Sequence, residues 1–275
     1  MVSKITFLGS SGDVYNYAKQ YRASGGFVLK VDDAQFHIDP GPGATTKAAE
    51  YGVNLRENTA VLVTHNHLGH CNDINTVIDA MTYGGLDRKG ILICNDTILN
   101  GTEKIRGYLT DFHKKCVERI IVLKPEKRVG IMNIDIIGTF AKHSDENAIG
   151  FKFITPNFTL GYTGDTEITN KIVEQYQGCD VLILNVVAPS GVKIKGQLNS
   201  DDAVIFLNKV KPKLAIITHF GLKMLRADPL YEAREIQSKT NIQVVAAKDG
   251  MIVSPGNYAA KSKQKNLLNM IRKNN

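Results

Sequence analysis

Short apolar runs rich in β-branched residues recur along the chain and predict strands. They cover Ile5–Leu8, Phe27–Val31, Phe36–Ile38, Ala60–Val63, Ile91–Cys94, Ile120–Leu123, Ile134–Ile137, Gly150–Ile154, Thr159–Tyr162, Val181–Leu184, Leu214–Thr218 and Gln243–Ala246. Between them lie amphipathic stretches of helical period. Ile74, Val77, Ile78 and Met81 share one face, and Ile105, Leu109, Phe112 and Cys116 predict a second helix. Asn170 is placed to cap Lys171–Gln177, with Gly178 as its stop; Ser200 is placed to cap Asp201–Val210. Asp228-Pro229 reads as a cap followed by proline at the first helical position.

Strands come first, then mixed strands and helices, and this order occurs twice. It lacks the strict alternation of a doubly wound sheet. Two sheets packed face to face with helices outside suit it better. No repeat, linker or low-complexity tract divides the 275 residues. One α/β domain over 1–260 is expected, followed by a tail at 261–275.

Composition narrows the class. With 43% hydrophobic and 22% charged residues, the chain is an ordinary globular protein, which excludes a disordered, collagen-like or coiled-coil chain. No apolar run is long enough to span a membrane, and the N-terminus turns strand-like without a signal-peptide core. Four scattered cysteines with no CxxC pair point to a reduced, cytoplasmic protein. The net charge of +7 is concentrated in the tail, where Lys261, Lys263, Lys265, Arg272 and Lys273 face no acid. Without them 29 basic residues stand against 27 acidic ones, so the body is nearly neutral. Such a tail can attract nucleic acid or an acidic surface, or form a solvated helix with Leu267, Leu268 and Ile271 on one face.

Histidine carries the chemistry. His65, His67 and His70 fall within six positions, where the apolar strand Ala60–Val63 ends and a helix begins. Residues 65 and 67 of an extended segment point the same way. Imidazoles so close together suit a zinc site with an open position. Other polar residues stand at strand ends: Asp39 before Pro40-Gly41, His143 after the strand Ile134–Ile137, Asp165 in Gly164-Asp165-Thr166, and His219 after Thr218.

In this joint order the chain resembles the metallo-β-lactamase superfamily, from Phe7-Leu-Gly-Ser-Ser-Gly to Ala247-Lys-Asp-Gly-Met251. The resemblance implies a four-layered αββα sandwich of two mixed sheets, with the site at the edge between them. It implies a first metal on His65, His67 and His143, a second on His70 and His219, and Asp165 bridging both as the catalytic carboxylate. Asp39 matches the acid that orients ligands from behind. The family block usually reads His-x-His-x-Asp-His, but position 69 here is Gly69. The second site then keeps three protein groups, and Cys71 or Asp73 are neighbouring substitutes.

The implied activity is metal-dependent hydrolysis, with zinc expected, manganese as the alternative, and one or two ions. Thr6-Phe-Leu-Gly-Ser-Ser-Gly12 and Thr218-His-Phe-Gly-Leu-Lys-Met224 are similar to the branch of tRNA 3′-processing endonucleases and cyclic phosphodiesterases. A cyclic or small phosphodiester is therefore the expected substrate, with RNA behind it for want of a tRNA-gripping arm and of charge in the body. Lys193, Lys195, Lys223 and Arg226 are candidates for positive charge near the mouth, and Tyr83-Gly84-Gly85 for its rim. Two further readings stay open: a lactone, thioester or amide hydrolase on the same site, and a metal-poor binding protein founded on Gly69. The resemblance also implies a homodimer.

Overall fold

A computed structural model describes residues 3–259; the basic tail 261–275 and its apolar face lie outside the described residues. The first sheet is built from β1 (Ser3–Gly9), β2 (Ser24–Val31), β3 (Ala34–Ile38), β4 (Ala60–Val63), β5 (Ile91–Cys94) and β6 (Arg119–Val122). The second contains β7 (Arg128–Ile131), β8 (Ile134–Phe140), β9 (Ile149–Ile154), β10 (Thr159–Tyr162), β11 (Val181–Ala188), β12 (Leu198–Asn199), β13 (Leu214–Thr218) and β14 (Gln243–Ala246). The chain then returns β15 (Ile252–Val253) to the first sheet beside β1. The strand orders are β15-β1-β2-β3-β4-β5-β6 and β14-β13-β11-β10-β9-β8-β7, with β12 pairing β11.

Each sheet is half antiparallel and half parallel. Strands β1 to β3 pair antiparallel, and β3 to β6 pair parallel. In the second sheet β7 to β10 pair antiparallel, and β10, β11, β13 and β14 pair parallel.

Alternation along each strand separates three apolar layers. In β4, Ala60 and Leu62 face the inter-sheet core, while Val61 and Val63 pack outward with Ile74, Val77, Ile78 and Met81 of the helix Ile74–Thr82. In β11, Val181 and Ile183 face inward, while Leu182 and Leu184 pack with Phe206 and Leu207 of the helix Ser200–Val210. Covering both faces explains why these strands read as unbroken apolar runs. Phe7, Phe27, Phe36, Phe151 and Phe153 fill the middle layer. The four-layered αββα sandwich is therefore the architecture. No helix among the described residues is long and apolar enough to cross a membrane.

Three sequence expectations need correction. The helix expected across Ile105–Cys116 exists only as Asp111–Cys116, capped by Thr110. Upstream, a bridge between Gly101 and Arg106 folds the chain into a loop. The other two corrections concern caps. Thr169 caps Asn170–Glu174 and Asn199 caps Ser200–Val210, each one residue before the expected position. At Asn199 the cap closes reciprocally with Asp202, which a serine at position 200 cannot do from inside the helix.

Candidate metal centre

The loops leaving the carboxyl ends of β3, β4, β8, β10 and β13 meet at one edge of the sandwich, the usual place for a site in sheets with parallel strands. Asp39 follows β3, His65, His67 and His70 follow β4, His143 follows β8, Asp165 follows β10, and His219 follows β13. His65 and His67 leave the extended stretch after β4, and the short helix Leu68–Cys71 turns His70 back toward them.

Six of these side chains form two donor groups, His65/His67/His143/Asp165 and His70/Asp165/His219, each with its donor atoms within 4.8 Å of one another. In the first, His67 Nδ1 lies 3.1 Å from His65 Nε2 and 3.1 Å from His143 Nε2. Asp165 Oδ2 is 3.9 Å from His65 Nε2 and 3.8 Å from His143 Nε2. In the second, the same Oδ2 is 3.5 Å from His70 Nε2 and 3.2 Å from His219 Nε2. Donors at corners of a tetrahedron around zinc stand about 3.3 Å apart, given bonds of about 2.05 Å.

Outer contacts fix which ring nitrogen faces inward. His143 donates its Nδ1–H to the Gly196 carbonyl at 2.7 Å. Thr64 Oγ1 donates to Asp39 at 2.8 Å and is left to accept His65 Nδ1–H at 3.0 Å. His67 Nε2 meets Ser144 Oγ at 3.1 Å, and His70 donates Nδ1–H to Asp39 Oδ2 at 2.9 Å. The inner nitrogens of His65, His67 and His143 thus face each other and Asp165. His70 Nε2 is buried with no hydrogen-bond partner. Such a convergence of electron pairs calls for a cation, and the donor set fits one.

Asp39 stands outside both groups, behind His70. Its carboxylate accepts from Thr64 N at 2.7 Å, Thr64 Oγ1, His70 Nδ1 and Tyr162 OH at 2.7 Å. The backbone is left-handed at Asp39 (φ 53°) and at His219 (φ 65°), uncommon for residues with a Cβ and held here by surrounding contacts. Glycines make room for two of the histidines. A Cβ on Gly12 would stand 1.9 Å from the His219 carbonyl oxygen, and one on Gly196 2.8 Å from His143 Nδ1.

Electrostatics follow from burial and the two carboxylates. Burial, reinforced by His70, holds His65 well below the ordinary imidazole range, and burial with His143 lowers His67. Asp165 is fully buried, which works to raise it, yet His219 and His70 hold it well below the usual carboxylate range. His70 is also buried, but Asp165 and Asp39 on its two sides raise it to about 10. A cation held by His70 would have to displace a proton from it, so metal binding there would weaken as pH falls. Burial, then Asp39, raises the Tyr162 phenol well above its ordinary value, so it stays a donor.

A cavity of about 280 Å³ opens on the second group, lined by Asp13, Val14, Tyr17, Ser24, Leu68, Gly69 and Gln197 besides the histidines and Asp165. Gly69 leaves space: an added Cβ would meet only Ser24 Oγ at 3.7 Å and Tyr17 Cε1 at 3.9 Å. Neither expected substitute reaches the site. Cys71 is buried in the outer apolar layer, where burial pushes its thiol up, and Asp73 accepts from Asn72 Nδ2 at the start of the next helix. Lys193, Lys195, Lys223 and Arg226 are exposed and do not line the cavity. Tyr83 lies elsewhere, under the Arg56 guanidinium at 4.0 Å.

Sequence reading missed the residues that hold Asp165. Asn185 Nδ2 donates to Oδ1 at 2.7 Å and Gln197 Nε2 to Oδ2 at 2.8 Å. An amide within an apolar strand (Asn185 in Leu184-Asn185-Val186) was the one available signal.

Residues 34–220 match the beta-lactamase superfamily domain. An uncharacterized protein of Methanocaldococcus jannaschii is 32% identical over 252 residues, 91% of this chain and 94% of that one. Among solved structures, the metallo-beta-lactamase fold protein YhfI of Bacillus subtilis superposes with a TM-score of 0.76 at 18% identity, covering 92% of this chain and 99% of that one. The short form of human tRNase Z gives 0.67 at 17% identity, covering 91% and 98%. At these identities the structural likeness is one of fold.

Proposed function

The chain belongs to the beta-lactamase superfamily, and from that premise we propose that it is a metal-dependent hydrolase acting on a small phosphodiester. The observation that carries the reading is the pair of donor groups sharing Asp165 Oδ2. His65, His67, His143 and Asp165 would hold one divalent cation, zinc by donor chemistry, and His70, His219 and Asp165 a second. When bound, the ions supply a Lewis acid that makes water reactive at neutral pH and draws charge from the substrate's oxygen.

The chain's own groups do the rest. Asp165 is held ionised and is the carboxylate common to both groups, so it would be a ligand to either cation. Asn185 and Gln197 each donate to one of its oxygens and fix its plane. Asp39 orients His70, with Thr64 and Tyr162 holding the acid in turn. The short helix Val14–Ala18 walls the cavity with Val14 and Tyr17 and gives an organic group an apolar and aromatic surface.

Substrate size follows from the walls. Among the described residues no Lys or Arg lines the cavity, so they offer a polyanionic strand no cationic track there. That favours a cyclic or small phosphodiester over RNA. The cleavage of tRNA named for the human structural neighbour keeps the phosphodiester class in view without fixing its size.

The test is a side-by-side assay after loading with Zn²⁺ or Mn²⁺, using bis(p-nitrophenyl) phosphate, a cyclic nucleotide, a short RNA and an acyl lactone. Turnover of the first two is expected. Turnover of the lactone alone moves the protein to carbonyl chemistry. Absence of both bound metal and turnover would make it a binding protein.

A further inference from the structure

Asp145 is a buried carboxylate that the proposed chemistry does not use. It lies two residues beyond His143 and is 7% exposed. Its Oδ2 accepts from Asn95 Nδ2 at 2.7 Å and from the backbone N–H of Asn66 at 3.3 Å. Its Oδ1 accepts from Thr97 Oγ1 at 2.8 Å and from Asn147 N at 3.0 Å. Asn147 Nδ2 closes the ring by donating to Thr97 Oγ1 at 3.0 Å. No Lys, Arg or His among the described residues forms an ion pair with it.

These donors come from three segments. Asn66 lies between His65 and His67. Asn95 and Thr97 follow β5, where Asn95 also caps the helix Asp96–Asn100. Asn147 belongs to the loop that leads from His143 into β9. Asp145 thus ties two loops of the first sheet to one loop of the second. The first donor group depends on that same junction, because His67 comes from one sheet and His143 from the other, and their inner nitrogens must meet at 3.1 Å. A buried ionised carboxylate is costly unless its lone pairs are satisfied. Here neutral donors satisfy it and leave its charge uncompensated, beside a group suited to a cation.

Resting on the hydrolase reading above, we propose that Asp145 is a positioning residue for the first donor group, setting the spacing of His67 and His143 and lending negative charge to a cation held there. The second group hangs on a separate acid, Asp39, and does not share this tie. The consequence is selective. Asp145→Asn keeps the shape but turns one acceptor into a donor that faces other donors, and removes the charge. Loss of such outer partners typically weakens metal binding 10–100-fold.

The experiment isolates each group in turn. Zinc affinity is measured by chelator competition in a His219→Ala background for the first group and a His67→Ala background for the second, with and without Asp145→Asn. The expected result is a 10–100-fold weakening in the first background and less than threefold in the second. Thr97→Val keeps the charge and removes one donor; it is expected to weaken the first group severalfold, and it serves if Asp145→Asn fails to fold. In metal-free protein, Asp145→Asn is expected to move the imidazole resonances of His67 and His143 and leave those of His219 in place. Equal weakening of both groups, or none in either variant, overturns the inference. Failure of the unaltered protein to bind zinc at either group instead overturns the hydrolase reading, and the imidazole resonances then decide the positioning role.

Discussion

Replacing Gly69 by aspartate probes the second donor group where it is thinnest. That group has three protein donors, His70, Asp165 and His219, and Asp165 is shared. The backbone at position 69 already sits on the cavity wall beside them. A Cβ there would be in ordinary van der Waals contact with Ser24 Oγ at 3.7 Å and Tyr17 Cε1 at 3.9 Å, so the side chain enters without moving the backbone. Within the short helix Leu68–Cys71, aspartate is also slightly preferred over glycine, by about 0.3 kcal/mol. The variant adds a fourth donor and one negative charge. Losing a partner that only orients a metal ligand costs about 10–100-fold in affinity, so a gained direct donor is expected to tighten the second ion at least about tenfold, or about 1.4 kcal/mol. Equilibrium dialysis against limiting zinc, followed by metal analysis, reads the change as a rise toward two ions per chain. A folded variant with the same second-ion affinity as the unaltered protein would refute the reasoning, because position 69 would then not face the second ion.

The other predictions follow from the same geometry. His67→Ala or Asp165→Asn is expected to cut turnover by orders of magnitude with the circular dichroism spectrum retained; full activity in either contradicts the proposed roles. Asp39→Asn leaves donors facing donors around a buried carboxyl position and is expected to lower stability by about 2–3 kcal/mol, read from urea midpoints. Gly12→Ala drives a methyl into the His219 carbonyl and is expected to weaken the second ion more than the first in chelator competition. His37 is fully buried, donates Nε2–H to the Gly25 carbonyl, and is lowered by burial from its ordinary 6.5 to about 4. Its folded pKa lies below the unfolded one, so its contribution is complete above about pH 6.5 and is lost as pH falls toward 4. That window holds about 3 kcal/mol. Urea midpoints for His37→Gln should lack this part of the slope; identical slopes would contradict it.

The fold was largely readable because strands covered on both faces spell out their burial, as Ala60-Val-Leu-Val63 does. Weak points were places where local chemistry outweighs period. Ile105 and Leu109 hold helical spacing with Phe112, yet Gly107 packs against the backbone of Leu99, and Thr110 starts the helix late. Edge strands such as β7, with Arg128 and Gly130 exposed, carry too little apolar signal to be seen. Within the site, the histidines announce themselves by chemistry and clustering. Thr64, Tyr162, Asn185, Gln197 and Asp145 do not, because they are common residue types. Their roles come from contacts between distant segments, such as the 123-residue separation between Tyr162 and Asp39.

The central claim is that Asp165 stands between two cation positions. Anomalous diffraction at the zinc edge, from crystals grown with zinc, tests it most directly. The account predicts two peaks about 3.5–4 Å apart on either side of Asp165 Oδ2, one among His65, His67 and His143 and the other beside His70 and His219. Peaks only on surface side chains, with none within bonding distance of Asp165, would contradict it.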